Sequence, residues 1–260
     1  MLLAIDIGNT NITLGVWQEQ TWREQWRLLS AHEKTADEYG VVIRSMLREA
    51  GFLQAIRHIV LCSVVPPLTT TFAALCQRYL GLPVLQVDAS TDTGIKVNTE
   101  TPREVGADRI VNAAAAYHLF PGPSIIIDMG TATKFDVVTT GGEFIGGVIA
   151  PGLQLTADAL ASRAAKLSRV ALEAPPHTLG RNTVHAMQSG LIFGYASLIE
   201  GIVGRLQREH PDQGQEIRIL GTGGLIYLIA AHTNVIQHVD PWLTLTGLRL
   251  IHERLKGAAP

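Results

Sequence analysis

Two aspartates stand in nearly the same setting: Asp6 in Ile5-Asp6-Ile7-Gly8-Asn9-Thr10, and Asp128 in Ile127-Asp128-Met129-Gly130-Thr131-Ala132, almost half a chain later. In both, an apolar strand-like run meets an acid, a glycine and small hydroxyl or amide residues before a second strand begins. Such a turn suits phosphate. The carboxylate can hold a cation at a strand end, and the glycine lets backbone N–H groups approach phosphate oxygens with no Cβ in the way. A single strand, Asp-x-Gly and hairpin is ordinary turn chemistry. The recurrence points instead to two similar lobes with a charge at the same strand end. A third glycine-rich turn, Gly221-Thr222-Gly223-Gly224, follows a strand-like run and opens a helical one, where backbone could lie against a nucleoside. A separate acid, Asp108, lies in Val105-Gly106-Ala107-Asp108-Arg109. It is the candidate general base for a hydroxyl nucleophile, with Arg109 as a forked donor to an anionic substrate or a transferred phosphate. The bland alternative is a helix N-terminal carboxylate beside an exposed arginine.

The periodicity predicts three strands at residues 2–7, 11–17 and 21–28, joined by short turns. A helix follows, opened by the capping box Thr35-Ala36-Asp37-Glu38, striped by Val41, Val42, Met46 and Leu47, and ended by Gly51. A strand at 58–65, a helix at 68–80, a strand at 84–87 and a helix at 102–119 complete the order βββαβαβα. Asp108 falls in the first turns of that last helix. After Pro121-Gly122-Pro123 the order recurs: strands at 124–128, 134–139 and 143–149, helices at 152–166 and 183–210, and a strand at 216–220. A helix from 225, a strand at 235–239 and a helix at 243–256 end it. Two lobes, 1–120 and 121–260, are expected.

With 260 residues, 47% of them hydrophobic, the chain can bury two cores. Net charge is −2 and no Lys/Arg run stands out, which argues against a nucleic-acid partner. No basic leader precedes Leu2-Leu3-Ala4, and no stretch of about 18 apolar residues lacks a charge, so a soluble cytoplasmic protein with no membrane partner is expected. Cys62 and Cys76 read as buried free thiols, and the scattered histidines indicate no transition-metal site.

The three glycine turns resemble the phosphate-1, phosphate-2 and adenosine motifs of the acetate and sugar kinase, heat-shock chaperone and actin superfamily. That resemblance implies an α/β fold of duplicated ribonuclease H-like (actin-like ATPase) lobes with the nucleotide in the cleft between them. Within the superfamily, residues 6–13 (DIGNTNIT), 102–109 (PREVGADR), 128–133 (DMGTAT), 146–153 (GGVIAPGL) and 180–190 (GRNTVHAMQSG) resemble the type III pantothenate kinases. The family likeness implies ATP-dependent phosphorylation of pantothenate to 4'-phosphopantothenate, the first step of coenzyme A biosynthesis, with Asp108 as base. It implies ATP contacts at Asp6, Ile7, Gly8, Asn9, Thr10, Asn11, Ile12, Thr13, Thr131, Gly221 and Gly223, and substrate contacts at Gly106, Ala107, Asp108, Arg109 and Thr183. It further implies Mg²⁺ held through water by Asp6, a monovalent cation (K⁺ or NH₄⁺) at Asp128, and a homodimer in which Thr183 reaches across the interface. Thr183 read alone is equally a plain helix cap. Carboxylates around a polyphosphate would repel it, so electrostatics also asks for cations.

Three departures from the family pattern bear on the site. Thr99 stands where a substrate-binding tyrosine is common, Met129 replaces a common aromatic, and Lys134 stands where a small or polar residue is usual. Lys134 reads as a solvated strand residue rather than an extra phosphate contact. The rival functions are another small-molecule kinase of the same superfamily and a non-catalytic nucleotide-binding regulator.

Overall fold

The computed structural model describes residues 1–164 and 167–257. Strand β1 (Leu2–Ile7) is buried at every position but Asp6, the signature of a central strand covered on both faces. It pairs antiparallel with β2 (Asn11–Gln18), which pairs with β3 (Thr21–Leu29). On its other side it pairs parallel with β4 (His58–Ser63), and β5 (Val84–Val87) extends that edge. The order is β3-β2-β1-β4-β5. A two-residue strand, β6 (Lys96–Val97), follows.

The second half repeats this path. Strand β7 (Ser124–Met129) is again buried everywhere except at its aspartate, Asp128. It lies antiparallel to β8 (Ala132–Val138), which pairs with β9 (Glu143–Pro151), and parallel to β10 (Arg218–Thr222), which pairs with β11 (His238–Val239). The order β11-β10-β7-β8-β9 mirrors the first sheet strand for strand. The fold is therefore α/β with duplicated actin-like lobes, as the repeated motif implies.

Helices α1 (Ala36–Glu49), α2 (Pro66–Leu75) and α3 (Ala107–Leu119) belong to the first half. The expected capping box closes both ways: the Thr35 amide donates to Glu38 Oε2 at 2.8 Å and the Glu38 amide to Thr35 Oγ1 at 3.3 Å. Pro66 and Pro67 occupy the first turn of α2 instead of merely ending the strand, because a proline lacks only the N–H that a first turn leaves unpaired. A π-turn over Cys76–Leu80 then closes at left-handed Gly81. The single helix expected over 102–119 is broken. Pro102–Glu104 forms a 3₁₀ turn, Val105 is extended, and α3 starts afresh at Ala107. In the second half lie α4 (Leu153–Arg163), α5 (Thr183–Glu209), α6 (Ile226–Ala230) and α7 (Leu243–Gly257). The expected helix over 152–166 ends at Arg163, and its residues 165–166 lie outside the described ones.

Two compact units result: Met1–His118 joined by α7, and Leu119–Trp242. The second lobe thus stops short of residue 260, since α7 returns to the first. Gly247 lets α7 approach the Val111 backbone, Leu245 packs at Gly15, and the Arg249 guanidinium lies 4.5 Å from the Trp17 ring centre. The first core gathers Leu3, Ile5, Ile7, Ile12 and Leu14 with Ile43, Leu47 and Phe72; the second gathers Ile125, Ile127 and Phe135 with Ile192, Ile199 and Ile219. Helix α5 would suffice by length and hydropathy to cross a membrane, but half of its apolar window is buried within the protein, where Ile192, Ile199 and Val203 cover β-sheet residues of the second core. Both cysteines are buried free thiols, and burial pushes Cys76 up to about 12.

Candidate active site

In the first unit, Asp6 ends the buried run of β1 opposite Thr13 on β2 and beside Cys62 on β4. The Cys62 thiol donates to Asp6 Oδ1 at 3.4 Å. The turn that follows is tight: the Gly8 amide donates to the Asn11 carbonyl at 2.9 Å, and a Cβ on Gly8 would stand 3.1 Å from that oxygen. Ser30 braces the turn from the end of β3, with its hydroxyl donating to the Gly8 carbonyl at 2.6 Å and its amide to the Thr10 carbonyl at 2.9 Å. Nothing in the spacing of the motif identifies Ser30 or Cys62. Strand pairing alone brings them there. Asn9, Thr10 and Asn11 are exposed, whereas the side chains of Ile7 and Ile12 are fully buried core members, so only their backbone faces the turn.

Asp108 occupies the first turn of α3, the end where orphan amides favour an anion. Its Oδ1 accepts from the Arg109 amide at 2.8 Å, folding the carboxylate back over the helix start. Gly106 makes room for it: a Cβ there would lie 2.7 Å from Oδ1 and 3.4 Å from Val64 Cγ1. The Val64 amide in turn donates to the Ile7 carbonyl at 3.1 Å. The break thus brings the start of α3, through Gly106, beside Val64, which follows β4 and bonds the end of β1. Thr99, upstream of this segment, has a buried hydroxyl with no hydrogen-bond partner among the described residues.

In the second unit, Asp128 lies opposite Lys134 on β8 and beside Thr222 on β10. Lys134 is not a solvated strand residue. Its Nζ is 2.7 Å from Asp128 Oδ2, and the two side chains are only 16% and 14% exposed. Direct cross-strand register holds them on one face of the sheet. Gly130 and Thr131 are exposed, and a Cβ on Gly130 would meet only ordinary contacts at 3.7 Å, so this glycine is not demanded by internal crowding. Gly152 does answer to crowding, since a Cβ there would collide with the Thr131 carbonyl oxygen and stand 2.7 Å from that of Gly130. Behind the turn, Thr133 Oγ1 and Tyr195 Oη are 2.5 Å apart and the tyrosine hydroxyl donates to the Pro151 carbonyl at 2.7 Å.

The third glycine turn divides by role. Gly221 is buried within β10, where a Cβ would stand 2.7 Å from Ile226 Cδ1, so it serves packing. Gly223 has φ 95° and approaches the Met129 backbone so closely that a Cβ would lie 2.6 Å from it. Only glycine meets both demands. Helix α6 beyond it spans five residues, too few for much of a macrodipole, so any nucleoside contact here rests on the turn's backbone. Thr183 is exposed at the first position of α5 and is not the cap. Asn182 is, its side chain accepting from the His185 amide at 2.8 Å.

Among the described residues no three His, Cys, Asp or Glu are grouped to hold a metal. A single carboxylate such as Asp6, in an oxygen-rich turn, suits Mg²⁺, which keeps most of its water. Asp128 does not suit a free monovalent cation in the same way. Two unit charges about 4 Å apart repel by about 4 kcal/mol at an effective dielectric near 20, and the Lys134 ammonium already stands on this carboxylate. A groove of about 600 Å³ lined by Trp26, Val41, Val42 and Met46 carries none of these groups.

The sequence profile of type III pantothenate kinases fits residues 2–205. A type III pantothenate kinase of Roseiflexus sp. (strain RS-1) is 49% identical over 254 residues, covering 97% of this chain and 98% of its own. That of Moorella thermoacetica is 47% identical over 255 residues, covering 98% and 99%. Among solved structures, the Acidaminococcus fermentans (R)-2-hydroxyglutaryl-CoA dehydratase component A aligns with a TM-score of 0.56 at 14% identity over 99% of both chains, a likeness of fold alone. With half its residues shared along nearly its whole length, this chain belongs to the type III pantothenate kinase family.

Proposed function

We propose that this protein transfers the γ-phosphoryl group of ATP to the primary hydroxyl of pantothenate, giving 4'-phosphopantothenate and ADP at the first step of coenzyme A biosynthesis. The observation that carries the reading is the setting of Asp108 within a family match: a carboxylate folded over a helix start, with a glycine kept clear for it and the end of β1 close by. The hydroxyl oxygen attacks the γ-phosphorus in line, Asp108 accepts its proton, and the bond to the β-phosphate oxygen breaks to release ADP. Arg109 orients the anionic substrate, and Gly106 and Ala107 leave space beside it.

In the first unit the turn from Asp6 to Thr13 takes nucleotide phosphates through Gly8, Asn9, Thr10 and Asn11, while Ile7 and Ile12 contribute backbone only. Asp6 would hold Mg²⁺ through water, and the ion would neutralise phosphate charge. In the second unit Thr131 and the backbone at Gly223 are the nucleotide contacts, and Thr183 contacts substrate. Exposed Leu155 and Leu160 on α4, Leu179, and Val184 on α5 support a homodimer. A cytoplasmic setting agrees with the two free thiols.

The test is Asp108→Asn. Turnover measured as ADP release with pantothenate falls by about 10²–10⁴-fold while the melting temperature holds; an Asn variant with near-normal turnover removes Asp108 from the role of base. A panel of sugars and hydroxy acids offered beside pantothenate separates this reading from that of another small-molecule kinase. No ADP release with any acceptor would favour a silent nucleotide-binding regulator.

A further inference from the structure

We propose, resting on the pantothenate kinase reading, that Lys134 supplies from within the chain the positive charge that the family resemblance assigns to a bound K⁺ or NH₄⁺ at Asp128. The Lys134 ammonium is 2.7 Å from Asp128 Oδ2, in a site where both side chains are at most 16% exposed. Its position is fixed by the sheet, not by chance contact: Asp128 and Lys134 are direct cross-strand partners, flanked in register by the pairs Ile127 with Phe135 and Met129 with Thr133. Phe135 and Thr133 are fully buried, and the Thr133 hydroxyl is tied to Tyr195, so the strand cannot slide to withdraw the lysine. The chemistry is also matched. A primary ammonium carries the charge of NH₄⁺ with three of its donors, and its tether removes the entropy of capturing a free ion.

The duplicated scaffold shows what the substitution does. The position opposite the acid is Thr13 in the first lobe and Lys134 in the second, while the acids themselves occupy equivalent places in β1 and β7. A free cation would have to share Asp128 with the ammonium, and like-charge repulsion at that range lowers its affinity by about a thousandfold. The activity of this enzyme is therefore independent of potassium, with Lys134 as a built-in cation at the phosphate turn of the second unit.

The experiment measures ADP release in buffers whose monovalent cation is K⁺, NH₄⁺, Na⁺ or tetramethylammonium, for the wild type, Lys134→Thr and Lys134→Met. The wild type turns over at the same rate in all four. Each variant loses about 10²-fold in Na⁺ or tetramethylammonium, the size of one lost preorganised electrostatic contact. Lys134→Thr regains its rate with K⁺ or NH₄⁺. Thermal melting without ATP supplies a readout apart from catalysis: K⁺ raises the melting temperature of Lys134→Thr above its value in tetramethylammonium and leaves the wild type unmoved. A wild type strongly activated by K⁺, or melting higher specifically in K⁺, overturns the proposal, as does a Lys134→Thr variant whose cation response matches the wild type. Absence of ADP release throughout refutes the kinase reading, and the melting comparison then still decides the cation.

Discussion

Replacing Gly106 by alanine isolates the placement of Asp108 from its chemistry. The added Cβ would stand 2.7 Å from Asp108 Oδ1, and relief to an ordinary contact at 3.4 Å requires the carboxylate to move by about 0.7 Å. The other neighbour, Val64 Cγ1, is already at 3.4 Å and needs little adjustment. Gly106 is not among the left-handed glycines, so alanine meets no backbone penalty there. It also restricts the unfolded chain, a gain of about 0.4–1 kcal/mol that offsets the minor crowding. Stability should therefore stay nearly level while geometry suffers. A misplacement of about 1 Å at a reacting group costs on the order of 10²-fold, so turnover should drop by between roughly 10-fold and 10²-fold. Paired measurements of ADP release and thermal melting check this, with Gly201→Ala as control, since a Cβ at Gly201 meets nothing within 4 Å beyond its own helix among the described residues. Gly106→Ala with full turnover would refute the claim that the position of Asp108 matters; equal losses of turnover and melting temperature would show that Gly106 serves the fold instead.

Two further outcomes concern stability. Burial, aided by the Lys256 charge and by His58, pushes His252 down to about 4. The unfolded chain, with histidine near 6.5, binds a proton the folded state refuses, so stability is lost as pH falls from about 6.5 toward 4 by up to about 3 kcal/mol. His252→Gln should flatten the melting profile across that window, and an unchanged slope would refute the assignment. Tyr195→Phe leaves the buried Thr133 hydroxyl and the Pro151 carbonyl without their shared partner. It should lower the free energy of unfolding by about 1–3 kcal/mol in urea titration; a neutral result would mean these groups find other partners.

The sequence made the lobes visible because each central strand advertises itself twice, by an unbroken apolar run and by the acid at its end. Residues 2–7 and 124–129 share one burial pattern down to the single half-buried aspartate. What could not be read were effects of tertiary pairing. The fate of α7 depended on Gly247 meeting the Val111 backbone, a contact without local signature. The break before α3 came from an extended Val105 between a proline-led 3₁₀ turn and Gly106. Ser30 and Cys62 reach the first turn only through the register of β3 and β4. Lys134 departs from the solvated setting expected of it for the same reason, because solvation is the default for a lone lysine and only the register of β7 with β8 sets it against Asp128.

Duplication explains why the two acids hold the same place and why they need not do the same work. A repeated strand and turn fixes the backbone around Asp6 and Asp128 alike, but the residue opposite each acid remains open to change without cost to either core. In the first copy that residue is Thr13 and the thiol of Cys62 donates to the acid, an arrangement compatible with a hydrated divalent ion arriving with ATP. In the second it is Lys134, already in contact. The glycines diverge in parallel: Gly8 is needed by its own turn, whereas Gly130 has room for a Cβ and yet is exposed. On the proposed function, the open room at Gly130 would let a nucleotide phosphate approach the second turn, whose charge is built in, and the recruitment of an ion would fall to the first.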